Sequence, residues 1–213
     1  NQGHHVTATT RSKERVFQLK NFVNDIYILK EGSLSSFIEQ QEILVITIAP
    51  DRGMDYARTY LQVAEQAALA ISQASSLRQI IYTSSTSLYG ERKGEWVNEE
   101  TPLVDLDENR KILQQTEQIL LGCESEHLSV CVLRLGEIYG PGRRIEDRLK
   151  KMQDQSFAGT GESFTNLIHL DDIVSALDFA VLKKLQGIYN LCSDFHIPRK
   201  EFYAQICQQE KMK

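Results

Sequence analysis

The chain has 213 residues, of which 41% are hydrophobic and 25% are charged, a balance typical of a globular domain with one well-buried core. Its net charge of −5 at pH 7 provides no basic face of the kind that binds nucleic acid. The longest largely apolar run, 43–49, is far shorter than the ~20 residues that cross a bilayer. We therefore predict neither a nucleic-acid-binding protein nor a membrane protein.

The cysteines indicate a reduced protein. Four are present, and no two have the Cys-x-x-Cys spacing of a zinc site. Cys131 lies inside an apolar strand, where a small core residue is expected. We therefore expect no metal site, and we predict a cytoplasmic location. The polar residues 1–5 do not resemble a signal peptide.

Apolar runs that suit strands alternate with amphipathic stretches that suit helices along the whole chain. Continuous apolar strands are typical of a parallel sheet buried on both faces, so the pattern predicts an α/β, doubly wound fold. In chain order we predict a strand at 5–10, a helical turn at 12–15, a strand at 25–29, a helix at 34–40, a strand at 42–49, a long helix at 54–74, a strand at 79–83, a helix at 107–123, a strand at 129–135, helices at 145–152 and 171–182, a strand at 187–192 and a last helix from 198 to 208.

Three stretches carry a family pattern. They read Thr-Ser-Ser-Thr-Ser-Leu-Tyr-Gly at 83–90, Leu-Gly-Glu-Ile-Tyr-Gly-Pro-Gly-Arg at 135–143, and His-Leu-Asp-Asp at 169–172. Over most of the chain they resemble the extended branch of the short-chain dehydrogenase/reductase superfamily. That branch contains NAD(P)-dependent nucleotide-sugar epimerases and dehydratases.

The resemblance implies a Rossmann-like domain over 1–135 and a small C-terminal substrate domain over 136–213. Segments 168–182 and 187–192 are expected to pack back on the Rossmann-like domain. In the family the chain begins with a strand and a glycine-rich turn that cradles the cofactor pyrophosphate. No such glycine pattern occurs in this sequence, so we expect a chain that is cut at its start and also within the C-terminal domain.

The resemblance also implies which residues meet the adenosine half of the cofactor. At the end of the second strand of the family an acidic residue binds the ribose of NAD, whereas a basic residue binds the 2′-phosphate of NADP. This sequence has Arg11 and Ser12 there, which predicts NADP over NAD. The alternative is that Arg11 is a solvated loop residue. Ala49 is small enough for a close approach of the cofactor, although an ordinary strand end explains it equally well.

Four further residues are implied near the nicotinamide. Ser84 is expected near the ring, and the stretch with Leu135, Gly136 and Ile138 is expected to pass the carboxamide. By position, Ser85 matches the serine that hydrogen-bonds the reacting substrate oxygen. A serine-rich turn without a function is the alternative.

The family's Tyr-x-x-x-Lys pair is missing. In the family the Tyr is the general acid/base and the Lys lowers its pKa. The matching positions hold Asn109 and Leu113, which cannot exchange protons, and a shift by one residue to Arg110 fails as well. Tyr89, after the serine run, is the candidate substitute and is predicted to be catalytic with Ser85.

The predicted substrate residues are Ser87, Arg143, Asn166 and His169. An arginine in the Gly-Pro-Gly-Arg turn suits a substrate phosphate or carboxylate, although a solvated basic loop also explains it. For His169 we favour an architectural role that anchors the substrate domain. The acidic residues that follow it are expected to start the next helix.

Two functions remain open from the sequence. The first is an NAD(P)-binding epimerase, dehydratase or reductase that acts on a nucleotide sugar or a similar small molecule. The alternative is a catalytically inactive cofactor-sensing or scaffold protein on the same fold. The family often pairs helices 54–74 and 107–123 in a four-helix interface, which makes a homodimer a third prediction; the alternative is that their apolar residues pack only on the sheet.

Overall fold

Strands and helices alternate along the chain, as the pattern of apolar runs predicts. The computed structural model describes residues 3–30, 34–50, 55–151 and 160–211. Its elements are β1 Thr7–Thr10, α1 Lys13–Leu19, β2 Asp25–Ile28, α2 Leu34–Ile38, β3 Ile43–Ile46, α3 Gln62–Ile71, β4 Gln79–Ser85, α4 Glu108–Leu121, β5 Ser129–Leu135, β6 Glu137–Tyr139, α5 Ile145–Lys151, β7 Leu167–His169, α6 Leu170–Lys183, β8 Gly187–Leu191 and α7 Arg199–Gln209.

The core of the fold is a four-stranded parallel sheet with the order β3-β4-β5-β8. Two further parallel pairs, β1 with β2 and β6 with β7, complete the strands. The two central strands, β4 and β5, are buried along almost their whole length. This arrangement confirms the predicted α/β, Rossmann-like fold, in which parallel strands are covered on both faces.

Side chains that alternate along β4 and β5 divide the core between two layers of helices. Ile80 and Val130 point to one face and pack with residues of α2, α3 and α4. Ile81 and Cys131 point to the other face and pack with residues of α6. Cys131 is therefore a core residue, as predicted, and burial raises the pKa of its thiol to about 11.

Two elements differ from the predicted pattern. The long helix was predicted to start at Met54, which lies outside the described residues. In the structure a π-helical turn at Ala57–Leu61 precedes α3. Strand β6 was not predicted, because its three residues are too few to show a period. It forms where Gly136 breaks the apolar run of β5 and the chain turns to pair with β7.

The C-terminal part contacts the sheet through β8 and α6. Strand β8 pairs with β5, and α6 covers the face that carries Ile81. A separate small core joins α5, β7 and α7 through Ile145, Leu167 and Ile206. The segments that join these two packing regions lie around the carboxyl ends of β4 and β5.

Candidate active site

A cavity of about 660 Å³ opens where β4 and β5 end. Small-molecule sites are typically 300–1,000 Å³, and in open α/β sheets they lie at the carboxyl ends of the strands. One wall is residues 85–97, and the facing wall comes from 163–166 and 190–199. The cavity brings together six of the predicted site residues, namely Ser85, Ser87, Tyr89, Leu135, Gly136 and Asn166.

The serine run forms a tight hydroxyl-lined turn at the base of the cavity. Ser85 caps a short 3₁₀ helix, Thr86–Tyr89: its Oγ accepts a hydrogen bond from Ser87 N at 3.1 Å and donates to Ser87 Oγ at 2.9 Å. Thr86 Oγ1 accepts from Asn166 Nδ2 at 2.8 Å. The turn is thereby fixed to the facing wall, and paired hydroxyls face the space where a substrate oxygen can bind.

Tyr89 lies at the centre of a buried polar network. Its hydroxyl donates to Asn190 Oδ1 at 2.8 Å and accepts from Arg134 Nη1 at 2.9 Å. Arg134 forms a two-point ion pair with Glu117, with Nη2 to Oε2 at 2.7 Å and Nε to Oε1 at 3.0 Å. Burial lowers the pKa of Arg134, but the hydrogen bonds and charge of Glu117 outweigh that effect and leave the pKa raised. Fixed partners thus hold the Tyr89 hydroxyl.

The positions of the missing Tyr-x-x-x-Lys pair lie on α4. Asn109 is exposed and Leu113 is buried, so neither offers a proton to the cavity. The neighbouring Arg110 has a different role from the one that sequence reasoning tested and set aside. Its Nε donates to the carbonyl of Ser87 at 3.0 Å, and Asp107 pairs with its guanidinium at 3.3 Å. Arg110 therefore stabilises the hydroxyl-lined turn.

The predicted adenosine-side residues lie outside the cavity lining. Arg11 and Ala49 are exposed, and Ser12 Oγ donates to the Glu14 carboxylate at 2.9 Å. Glu14 is in the first turn of α1, so a negative charge accompanies the residues that the sequence assigned to a 2′-phosphate. Sequence reasoning missed Glu14 because the family's acidic residue is expected at the end of the strand, whereas Glu14 lies four residues after that end.

Ser84 lies just below the cavity, on the α4 side of β4. Its hydroxyl and that of Tyr82 are both buried and make no hydrogen bond of normal geometry with any described residue. Burial is the main cause of the raised pKa of Tyr82, which the nearby Ser84 hydroxyl partly offsets. Burying a hydroxyl without a hydrogen-bond partner costs free energy. The hydroxyls of Tyr82 and Ser84 therefore form a polar position for which the described residues provide no partner.

The residues at this edge fit a nicotinamide dinucleotide in part. Ser85 ends β4 and lines the cavity. The preceding residue, Ser84, adds a hydroxyl that has no hydrogen-bond partner among the described residues. The nicotinamide end is thus better provided for by this structure than the adenosine end.

Gly136 also has a packing role. A Cβ on Gly136 would come within 2.8 Å of the carbonyl oxygen of Asn166, where two backbone segments cross. Ile138, two residues later, packs into the core on the α6 face. The close approach that the sequence assigned to a cofactor is made at Gly136 by the chain itself.

Arg143 and His169 do not line the cavity. Residues 140–143 form a turn in which Arg143 N donates to Gly140 O at 3.0 Å and Gly142 has a φ of +75°, as a type II turn requires. The Arg143 side chain is exposed. His169 Nδ1 accepts from Asp171 N at 3.2 Å and caps α6.

Several residues of the two walls were missed by sequence reasoning. They lie in loops or at a helix start, where no period or motif marks them, and their shared property is that they line the cavity: Arg92, Trp96, Phe164, Cys192, His196 and Arg199. Only the folded chain brings 90–97 opposite 192–199.

No three His, Cys, Asp or Glu side chains of the described ranges cluster as metal ligands would. None of the helices seen in these ranges has the length and apolar character needed to cross a membrane.

Fold and cavity together define a Rossmann-like α/β protein with its ligand crevice at the carboxyl ends of parallel strands. The chain belongs to the NAD dependent epimerase/dehydratase family, whose model matches residues 1–192. It is 34% identical over 172 residues to Protein YeeZ of Escherichia coli (strain K12), a match that covers 78% of this chain and 58% of that protein. The chain thus spans 58% of the length of this curated relative.

Solved structures show the same fold. A conserved protein of unknown function from Silicibacter pomeroyi has a TM-score of 0.76 at 26% identity, over 100% of this chain and 72% of that chain. MoeE5 in complex with UDP-glucose and NAD has a TM-score of 0.81 at 20% identity, over 100% of this chain and 76% of that chain. The family and the fold predicted from sequence are confirmed.

Proposed function

We propose that the chain forms the core of an NAD(P)-dependent epimerase, dehydratase or reductase that acts on a nucleotide sugar or a similar small molecule. The observation that carries this proposal is the cavity at the ends of β4 and β5, which Ser85, Ser87 and Asn166 line with groups that bind hydroxyls. MoeE5, which shares the fold, is complexed with UDP-glucose and NAD. The family match supports the same cofactor class.

The residues of the cavity have different roles in this activity. A bound nicotinamide dinucleotide supplies the hydride acceptor or donor. Ser85 is placed to hydrogen-bond the reacting oxygen of the substrate, and Ser87 shares a hydrogen bond with it. Arg110 and Asn166 hold this turn in place, and preorganised donors of this kind stabilise charge that develops on a substrate oxygen.

The choice between NADP and NAD depends on the start of α1. The sequence predicts NADP because Arg11 can pair with a 2′-phosphate. Glu14, which accepts a hydrogen bond from Ser12, opposes it by repelling the same phosphate. We keep the NADP preference as the prediction to be tested.

The test is calorimetric titration of the protein in its complete natural form with NADPH and, separately, with NADH. Tighter binding of NADPH, weakened in Arg11→Ala and strengthened in Glu14→Gln, would support the NADP preference. Lys111→Ala, which removes an exposed cation from α4, is the matched control and should bind as the wild type does. Tighter binding of NADH contradicts the preference, and binding of neither dinucleotide contradicts the proposed function.

A catalytically inactive cofactor-sensing or scaffold protein is the second candidate. The observation that favours it is the pair of Asn109 and Leu113 at the positions of the usual Tyr and Lys; the comparisons offer nothing in its support. Ser85→Ala separates the two functions. Loss of turnover in this variant supports the enzyme, whereas dinucleotide binding without turnover in the wild type supports the sensor.

The predicted homodimer and cytoplasmic location also stay proposals. On the outer faces of α3 and α4 the one large apolar side chain that is exposed among the described residues is Leu69, at 72%. Four-helix interfaces are more apolar than this, so the faces support at most a weak dimer. The cytoplasmic proposal rests on the cysteines, which are all unpaired.

A further inference from the structure

The cavity contains one imidazole, that of His196, whose hydrogen bonding shows which ring nitrogen carries the proton. Nδ1 lies 2.9 Å from the carbonyl oxygen of Thr165. A carbonyl oxygen only accepts, so Nδ1 is the protonated nitrogen. In the neutral imidazole Nε2 then carries the lone pair, and this nitrogen has no hydrogen-bond partner among the described ranges 3–30, 34–50, 55–151 and 160–211.

The imidazole contacts a buried backbone segment and an aromatic ring. Thr165 is 4% exposed; its N–H donates to the carbonyl of Ile197 at 2.8 Å, and its Oγ1 accepts from Ile197 N at 3.2 Å. The ring of Trp96 meets that of His196 edge-on, with centroids 5.1 Å apart. His196 is thus oriented from two sides, by the backbone and by an aromatic ring, as proton-transfer residues require.

His196 and the hydroxyl-lined turn are parts of one hydrogen-bonded frame. Asn166, the residue after Thr165, donates from Nδ2 to Thr86 Oγ1 at 2.8 Å. Thr86 directly follows Ser85, and both Ser85 and His196 line the cavity. The hydroxyl of Ser85 and the imidazole of His196 therefore belong to the same cavity, in walls that a hydrogen bond joins.

The other ionisable groups of the cavity are less suited to accept a proton. The Tyr89 hydroxyl already has two partners, and Glu137 is ion-paired with Arg148. Burial, and then two nearby carboxylates, raise the pKa of Cys192, so this thiol keeps its proton.

Four charged residues of the lining remain. Glu91 is occupied by a hydrogen bond from a backbone N–H, and Glu95 is exposed. Arg92 and Arg199 carry cations, and a guanidinium does not give up its proton. These cations suit an anionic substrate. Proton transfer needs a side chain that changes charge near neutral pH, and among side chains imidazole has this property.

Building on the proposed function, we infer that His196 is the proton-transfer residue of this site, in place of the absent Tyr-x-x-x-Lys pair. When the substrate carbinol is oxidised, its C–H bond breaks and the hydride passes to an oxidised nicotinamide. The O–H proton passes to Nε2 of His196, and the carbon becomes a carbonyl. Reduction returns the hydride to the carbon and the proton to the oxygen, while Ser85 hydrogen-bonds that oxygen throughout.

The test combines NMR with kinetics on the protein in its complete natural form. Long-range ¹H–¹⁵N correlation reads the tautomer of each imidazole, and His196→Asn assigns the signals; asparagine retains a donor for Thr165 O. We expect His196 to be protonated at Nδ1, and its Nε2 signal to shift when UDP-glucose and the more tightly bound of NADP and NAD are added. His127, exposed in the turn before β5, should not shift.

The kinetic part measures hydride transfer from UDP-glucose to NADP or NAD, whichever calorimetry shows to bind more tightly. His196→Asn should lower its rate by about 10²–10⁴-fold, as loss of a general acid/base does, with an unchanged affinity for UDP-glucose. His127→Asn should match the wild type. A proton on Nε2 of free His196, an Nε2 signal that saturating UDP-glucose leaves in place, or a wild-type rate in His196→Asn would each overturn the inference.

Calorimetry on the wild type separates the two proposals. If the protein binds neither a dinucleotide nor UDP-glucose, the proposed function is wrong and the inference fails with it. If it binds both ligands while the NMR or kinetic criterion fails, only the inference is overturned. The NMR criterion decides even where UDP-glucose binds without turnover, because it reads the imidazole directly.

Discussion

The buried ion pair between Glu117 and Arg134 stabilises the structure around the candidate site. The substitution Glu117→Gln measures its contribution to the free energy of unfolding. The two side chains are 2% and 4% exposed, and three hydrogen bonds of 2.7 to 3.2 Å join them. Glutamine keeps the shape but leaves the guanidinium without a counter-charge in the core. Removing one partner of a buried pair costs about 3–5 kcal/mol. We expect the free energy of unfolding to fall by that amount.

The loss is measured by urea unfolding followed by circular dichroism. For a chain of this size 1 kcal/mol corresponds to roughly 2–4 °C in Tm, so in a separate thermal melt Tm should fall by about 6–20 °C. Glu146→Gln is the control, because its pair with Arg144 is partly exposed and such pairs contribute about 0–1 kcal/mol. If both variants lose less than about 1 kcal/mol, the Glu117 pair is solvated and the reasoning is refuted. Adding Arg134→Met to Glu117→Gln should recover part of the loss, since the unpaired charge is removed.

Three further substitutions test other parts of the structure. Gly136→Ala places a Cβ 2.8 Å from the carbonyl of Asn166 and should destabilise the protein by about 1–3 kcal/mol; an unchanged urea midpoint would contradict the crossing of these segments. Arg110→Met removes the donor to Ser87 O and should weaken UDP-glucose binding in calorimetry while Tm falls little; binding equal to the wild type would mean that the turn needs no such support. Leu69→Asp should abolish any homodimer through α3, as measured by light scattering, and a dimer that persists would place the interface elsewhere.

The sheet and its ligand edge could be predicted because burial leaves a period in the sequence. The apolar runs of β4 and β5 predicted the strands, and the family resemblance predicted the role of Ser85, which ends β4 and lines the cavity. Arg110 could not be judged in this way. Its position was tested only as a substitute for a proton donor, whereas its side chain reaches back across the turn to a backbone carbonyl. That contact depends on how α4 lies against the turn, which no periodicity encodes.

His196 shows a second limit of sequence reasoning. It lies in a loop, and its tautomer is set by a carbonyl 31 residues earlier in the chain. The antiparallel contacts that bring these segments together are few, such as Phe164 with Pro198 and Thr165 with Ile197. Pairings of this kind depend on loop closure, because alternation over so few residues is too short to recognise.

The network around Tyr89 explains how the cavity is linked to the core. Tyr89 follows β4, Arg134 is on β5 and Asn190 is on β8, so one hydroxyl connects the ends of three adjacent strands. Glu117 extends the connection to α4. The part of the cavity that Tyr89 and Asn190 form therefore cannot change without loss of stability. Trp96 is 83% exposed and takes no part in this network, so substitutions at Trp96 can alter the choice of substrate while the fold is retained.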